Sequence, residues 1–158
     1  LVAEDLGRIT PAVRRLREDF ALPGMFLLQH AFDEDASGST PHALPERSVV
    51  YTGTHDNDTT VGWWSDLSKK HRERVIEYGG PLGRGPHELL TRLAMTSNSN
   101  IAIIPMQDLL GTGKKTRMNI PGIPTGNWRW RLEQGMLEDR AAQRMRRLAA
   151  VTDRLTPH

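Results

Sequence analysis

Short, continuous apolar runs alternate along this chain with segments of helical period. The runs are Leu1–Ala3, Met25–Leu28, Val49–Tyr51 and Ile101–Ile104. Each is bounded by turn or polar residues, which predicts four buried strands. Thr10-Pro11 supplies an N-cap followed by proline at the first helical position, and Val13, Leu16 and Phe20 then recur at helical spacing. After the third run, helices are predicted from Thr59 to about Leu67, over His71–Tyr78, and from Pro86 through Leu93-Ala94. Met106–Leu110 reads as one short turn. A final amphipathic helix is predicted over Leu137–Leu155, with Leu137, Ala141, Leu148, Val151 and Leu155 inward. Two stretches lack any period: Phe32–Arg47, with Ser37-Gly38-Ser39, Pro41 and Pro45, and Gly111–Gly126. Loops this long inside a compact domain are usually functional or mobile. The order of elements predicts an α/β fold with a parallel sheet covered on both faces. Four such strands suit a small doubly wound sheet, or half of an eight-stranded barrel that needs about 250 residues in all.

Composition narrows this picture modestly. A chain of 158 residues reads as a single domain, 1–158, with room for a real core. A formal charge of +2 gives no footprint for nucleic acid. The arginines near the C-terminus (Arg140, Arg144, Arg146 and Arg147) read as a solvated helix face. Cysteine is absent, which excludes disulfides and thiolate chemistry. No apolar run is long enough to span a bilayer, so no membrane partner is expected. Residue 1 is Leu, in what reads as mid-strand, so residues upstream of it are expected.

The candidate chemistry gathers at Ser48–Thr60. There a buried strand ends at Gly53 and delivers His55, Asp56, Asn57 and Asp58 before a helix begins. Parallel α/β folds place their sites at the carboxyl ends of strands. Glu4-Asp5 follows the first strand at the same end. Carboxylates converging from different strands suit glycoside chemistry, where one acid protonates a leaving oxygen and others stabilise an oxocarbenium-like sugar. From spacing alone, Glu4 reads equally as an ion-pair partner, and Asp58 reads better as a helix cap.

Other chemistries fit less well. Counting a calcium loop from Asp56 puts Val61 at the sixth position and Leu67 at the twelfth. No second histidine lies at zinc spacing from His55, and His71 and His87 read as exposed helix residues, so no metal or other cofactor is expected. Gly111–Thr116 fails the P-loop pattern, with Asp108 and Lys115 at the required positions. Trp63, Trp64, Trp128 and Trp130 read first as core, with sugar stacking the lesser reading.

Read together, the segments AEDLG (Ala3–Gly7), LPGM (Leu22–Met25), VVYTGTHDNDTT (Val49–Thr60), IPMQDLLG (Ile104–Gly111), RMNIPG (Arg117–Gly122) and NWRWR (Asn127–Arg131) resemble the 4-α-glucanotransferases, the amylomaltase or disproportionating-enzyme family of glycoside hydrolase family 77. They occur in family order and cover most of the chain. The resemblance implies the C-terminal half of a TIM barrel: Leu1–Glu4, Met25–Leu28, Val49–Tyr51 and Ile101–Ile104 become strands five to eight, with flanking helices. It implies a retaining, double-displacement transfer between α-1,4-glucans or maltooligosaccharides, and a cytoplasmic setting. Glu4 falls on the general acid/base and Asp56 on the transition-state stabiliser. His55 falls on a sugar contact, with Asn119 and, more distantly, Asp33 as further glucan contacts.

The chain departs from the family in three places. No Arg-x-Asp-His, the context of the family's nucleophile, is present. His30 stands where an aromatic residue is expected, and Gly111–Thr116 is unusually basic. The isolated chain is therefore expected to be inactive, and to need the missing half of the barrel or a homodimer partner to cover its sheet edges. The alternatives are a non-catalytic glucan-binding or structural module and, last, a small α/β hydrolase, for which the Gly-x-Ser-x-Gly elbow is lacking.

Overall fold

The computed structural model describes residues 1–7, 9–33 and 40–155; Ser37-Gly38-Ser39 of the first long loop lies outside them. Three strands form one parallel sheet: β1 (Gly24–Leu27), β2 (Ser48–Tyr51) and β3 (Ile101–Ile103), in the order β1-β2-β3. The register aligns Met25 with Val49 and Ile101, Phe26 with Val50 and Ala102, and Leu27 with Tyr51 and Ile103.

The expected first strand does not form. Leu1–Leu6 runs extended beside β1 and makes one backbone bond to it, from Ala3 N to Pro23 O at 3.2 Å. A parallel ladder would continue with the Met25 N–H donating to the Ala3 carbonyl, but that N–H is committed to the Asp5 carboxylate. The segment is fastened by a side chain instead. Asp5 accepts the Met25 N–H at 2.7 Å and pairs with Arg17 of α1 (Pro11–Asp19). Gly24 leaves room for that pair in its present position, since a Cβ there would come within 2.3 Å of the Arg17 guanidinium and 2.7 Å of the Asp5 carboxylate and displace them.

The connections lie on one side of the sheet. Phe26, Val50 and Ala102 pack there against α3 (Lys69–Gly79) and α4 (Pro86–Met95), through Val75, Leu89, Leu90, Leu93 and Ala94. Leu28, Ala31, Phe32 and Leu44 from the β1–β2 connection join the same core. Trp63 and Trp64 of α2 (Thr60–Asp66) pack on it as the core reading predicts. The expectation of helices on both faces is thus not met. The opposite face, with Met25, Leu27, Tyr51 and Ile103, opens on a cavity.

Thr10 and Pro11 start α1 as expected, but its Val13, Leu16 and Phe20 stripe is exposed. The last helix, α6 (Asp139–Val151), is shorter than its predicted span. Of the five positions predicted inward, Ala141 is buried and Leu148 half-buried, whereas Leu137, Val151 and Leu155 face solvent. Hydrophobic period identifies an apolar stripe without saying whether an element is present to cover it.

Beyond α6, Arg154 donates to four carbonyls: Met95 at 2.7 Å, Ser97 at 3.0 Å, Ser99 at 2.7 Å and Asn100 at 3.3 Å. It satisfies acceptors left free where α4 ends and the chain turns into β3. No described helix is long and apolar enough to cross a membrane.

Candidate active site

The polar cluster after β2 is built by local hydrogen bonding. Asn57 Oδ1 accepts from both the N–H (2.9 Å) and the hydroxyl (2.6 Å) of Thr54, closing a turn that holds His55 and Asp56 outward. Gly53 lets the buried Gln29 side chain reach across to the Asp58 carbonyl at 2.9 Å; a Cβ on Gly53 would lie 2.8 Å from that amide nitrogen. The cap of α2 is Thr59, whose hydroxyl accepts from Gly62 N at 3.1 Å. Asp58, expected to be the cap, accepts the Thr59 N–H instead, at 2.8 Å. Asp58, Thr59 and Thr60 are successive residues able to interact with a helix N-terminus, and the helix starts one residue later than predicted.

A buried carboxylate anchors this region from below. Asp108, in α5 (Met106–Leu110), accepts the Thr52 hydroxyl at 2.6 Å and the Thr60 N–H at 2.7 Å. It joins the end of β2 to the first turn of α2, on either side of the polar turn. Burial pushes its pKa above the usual carboxylate range, against the pull of the two donors. Sequence reading assigned it no role; a lone Asp in an apolar context was the available signal.

The loop after α5 clamps the cluster from the other side. Asn119 Nδ2 donates to the Asp56 carboxylate at 2.5 Å, and its N–H donates to the His55 carbonyl at 3.1 Å. Arg117 donates to the backbone carbonyls of Asp56 (2.6 Å) and Asn119 (2.8 Å). His55 Nε2 lies 3.4 Å from Asp56 Oδ1. The Arg-Met-Asn motif, weak as a signal alone, is thus the segment that fixes Asp56.

Glu4, His55 and Asp56 line one cavity of about 630 Å³, together with Met25, Leu27, His30, Tyr51 and Ile103. Glu4 is exposed and has no ion pair among the described residues. The ion-pair role that sequence left open for it is taken by its neighbour Asp5. Burial, with the negative charge of Glu4 nearby, pushes the Tyr51 phenol up. Asp33 does not line the cavity; its carboxylate lies 3.9 Å from His71 Nε2. His71 and His87 are partly buried and not exposed as predicted: His71 meets Trp63 edge-on, and His87 lies beneath Gly111. Lys114 of the basic loop pairs with Asp66. Among the described residues no group of three or more His, Asp or Glu could hold a metal ion.

Comparison with known proteins places the chain in a family. A relative from Synechocystis, a 4-alpha-glucanotransferase, is 49% identical over 142 residues, covering 88% of this chain and 28% of its own length. One from Thermus thermophilus, also a 4-alpha-glucanotransferase, is 44% identical over 98% of this chain and 33% of its own length. The structure of an amylomaltase from Streptococcus agalactiae, solved in complex with acarbose, superposes with a TM-score of 0.93 at 30% identity, over 98% of this chain and 32% of that one. The chain spans about a third of the length of the relatives it matches. The family model described as 4-alpha-glucanotransferase matches residues 1–137, and the chain belongs to that family, glycoside hydrolase family 77.

Proposed function

We propose that this chain supplies the acid/base and transition-state-stabilising part of a retaining 4-α-glucanotransferase. The single observation that carries the reading is the meeting of Glu4, His55 and Asp56 on one cavity at the carboxyl end of the sheet, with Asp56 held by Asn119. Glu4 protonates the glycosidic oxygen of an α-1,4-glucan as the bond breaks. A carboxylate from outside these residues captures the glucosyl unit. Asp56 favours the distorted, positively charged transition state, and His55 and Asn119 hold sugar hydroxyls. Glu4 then takes the proton of an acceptor 4-hydroxyl, which completes the transfer with retention. We assign Asp33 a more distant glucan contact.

The architecture supports the same reading. Sequential parallel strands with every described connection on one face, and an apolar face left open on the other, are the features of a closed (β/α) barrel and not of a doubly wound sheet. In this reading β1, β2 and β3 are barrel strands six, seven and eight. Residues 1–158 form one unit of the catalytic domain, and the rest of a cytoplasmic barrel covers the open face.

The test uses maltotriose. The chain alone is expected to release no glucose, whereas the chain joined to a preceding barrel segment with the nucleophile produces glucose and longer glucans. Turnover by the chain alone overturns the division of labour. Saturable glucan binding by the joined protein without turnover would make this a binding module instead.

A further inference from the structure

Trp128, stacked beside His55, is a large aromatic side chain that the mechanism above does not use. Its ring centroid lies 5.1 Å from that of His55, with the planes inclined by 36°. It is half exposed, at 50%. Its backbone φ is +61°, in the left-handed region that a bulky residue rarely occupies. A tryptophan in a core would recover the cost of such a conformation by burial; this one leaves half its surface to solvent. Strain kept without burial points to a requirement on where the indole sits.

The loop holds it there. Asn127 accepts the Ile120 N–H at 3.0 Å and donates to the Ile123 carbonyl at 2.8 Å, closing the segment from 120 to 127 on itself. The Trp128 N–H then reaches the Met118 carbonyl at 2.6 Å, one residue before Asn119. Arg131 fixes the far side, donating to the carbonyls of Trp128 (2.9 Å) and Trp130 (2.8 Å). One loop therefore sets the Asp56 carboxylate through Asn119 and the indole through Asn127.

We propose that Trp128 is a carbohydrate-stacking wall for the glucosyl unit next to the one His55 contacts, and that Asn127 is the residue that positions it. Resting on the functional reading above, this names a specificity-determining residue of the same site. An indole face accepts the C–H groups of a pyranose ring, while the neighbouring imidazole serves hydroxyls, so the pair presents an apolar and a polar surface to adjacent sugars. A glucan of several units engages both surfaces, and a shorter one loses the indole contact first.

The experiment uses the joined, transfer-competent protein. Trp128→Ala is expected to raise KM for maltotriose roughly five- to tenfold with kcat within about twofold. Trp128→Phe should recover most of that loss. Asn127→Ala should behave like Trp128→Ala. The melting temperature of Trp128→Ala should hold within a few degrees, because the indole is half exposed and alanine keeps the same Cβ at the same positive φ. Unchanged KM and product lengths in Trp128→Ala overturn the inference while leaving the transferase reading intact. A parallel fall in melting temperature and kcat that Phe does not rescue overturns it too, by making Trp128 structural. Absence of transfer by the unsubstituted joined protein defeats the functional reading itself, a result the Trp128 variants cannot produce.

Discussion

The two faces of the sheet do different work with similar side chains. On one, Phe26, Val50 and Ala102 pack with Leu89, Leu90, Leu93 and Ala94, and Val50 and the four helix residues are buried. On the other, Met25, Leu27, Tyr51 and Ile103 line a cavity whose rim carries Glu4, His55 and Asp56. Ile101 and Ile103 of the edge strand stay 47% and 41% exposed. Apolar burial is the main favourable term in folding, so the first face carries stability. The second presents apolar walls beneath a polar rim, where field strength and water exclusion matter more than packing. The contrast predicts that carboxylates on that rim can be exchanged with little effect on the core, and core side chains trimmed with little effect on the rim.

This separation can be broken first at the rim. In the joined protein, Glu4→Gln is expected to cut the transfer rate by about 10²–10⁴-fold, the range for loss of a general acid/base, with the melting temperature unchanged. Asp56→Asn should also abolish most transfer. Initial rates of glucose release and a thermal melt check both. A fall in melting temperature matching the loss of activity would show that the two faces are not independent.

Leu90→Ala tests the other side. Leu90 is fully buried between helix and sheet, and its truncation should cost about 2–5 kcal/mol in urea unfolding. Ile103→Ala on the open edge should cost well under half as much. Equal costs would mean that the open face is already packed.

The smallest expected effect lies at the joint between the faces. Asp108 has a raised pKa in the folded chain, so the native state holds its proton to higher pH than the unfolded state does. Its contribution therefore falls as pH rises from the usual carboxylate range through that raised value, and is constant above it. Asp108→Asn should remove that slope and cost about 1 kcal/mol near neutral pH through one weakened hydrogen bond. Urea midpoints of both proteins across pH 3–8 would show it (the interval is roughly that of carboxylate titration).

Much of this was legible along the chain, for reasons that differ by residue. Thr10-Pro11, Pro86 and the Val49–Tyr51 run carry strong local signals, and their elements form within a residue or two of expectation. Glu4 shares a cavity with His55 and Asp56 as its place after an apolar run suggested, although that run forms no strand. What sequence concealed was pairing. Leu1–Ala3 is as apolar as a strand, yet the Asp5 carboxylate takes the Met25 N–H that its ladder would need. Asp5 and Glu4 are adjacent carboxylates, and only geometry says which takes Arg17. Val151 and Leu155 obey helical period but remain exposed. Arg117 and Asp108 act through bonds to residues 61 and 56 positions away, which no local window contains.

Arg154 carries a consequence for the order of events during synthesis. Its four carbonyl partners lie between Met95 and Asn100, more than fifty positions earlier. At roughly 5–20 residues per second, β3 leaves the ribosome several seconds before the guanidinium that latches its entry turn. During that interval the turn from α4 into β3 is held by its bonds to Pro41, Leu44, Glu46 and Ser48, all made of earlier chain, and lacks the four that the guanidinium adds.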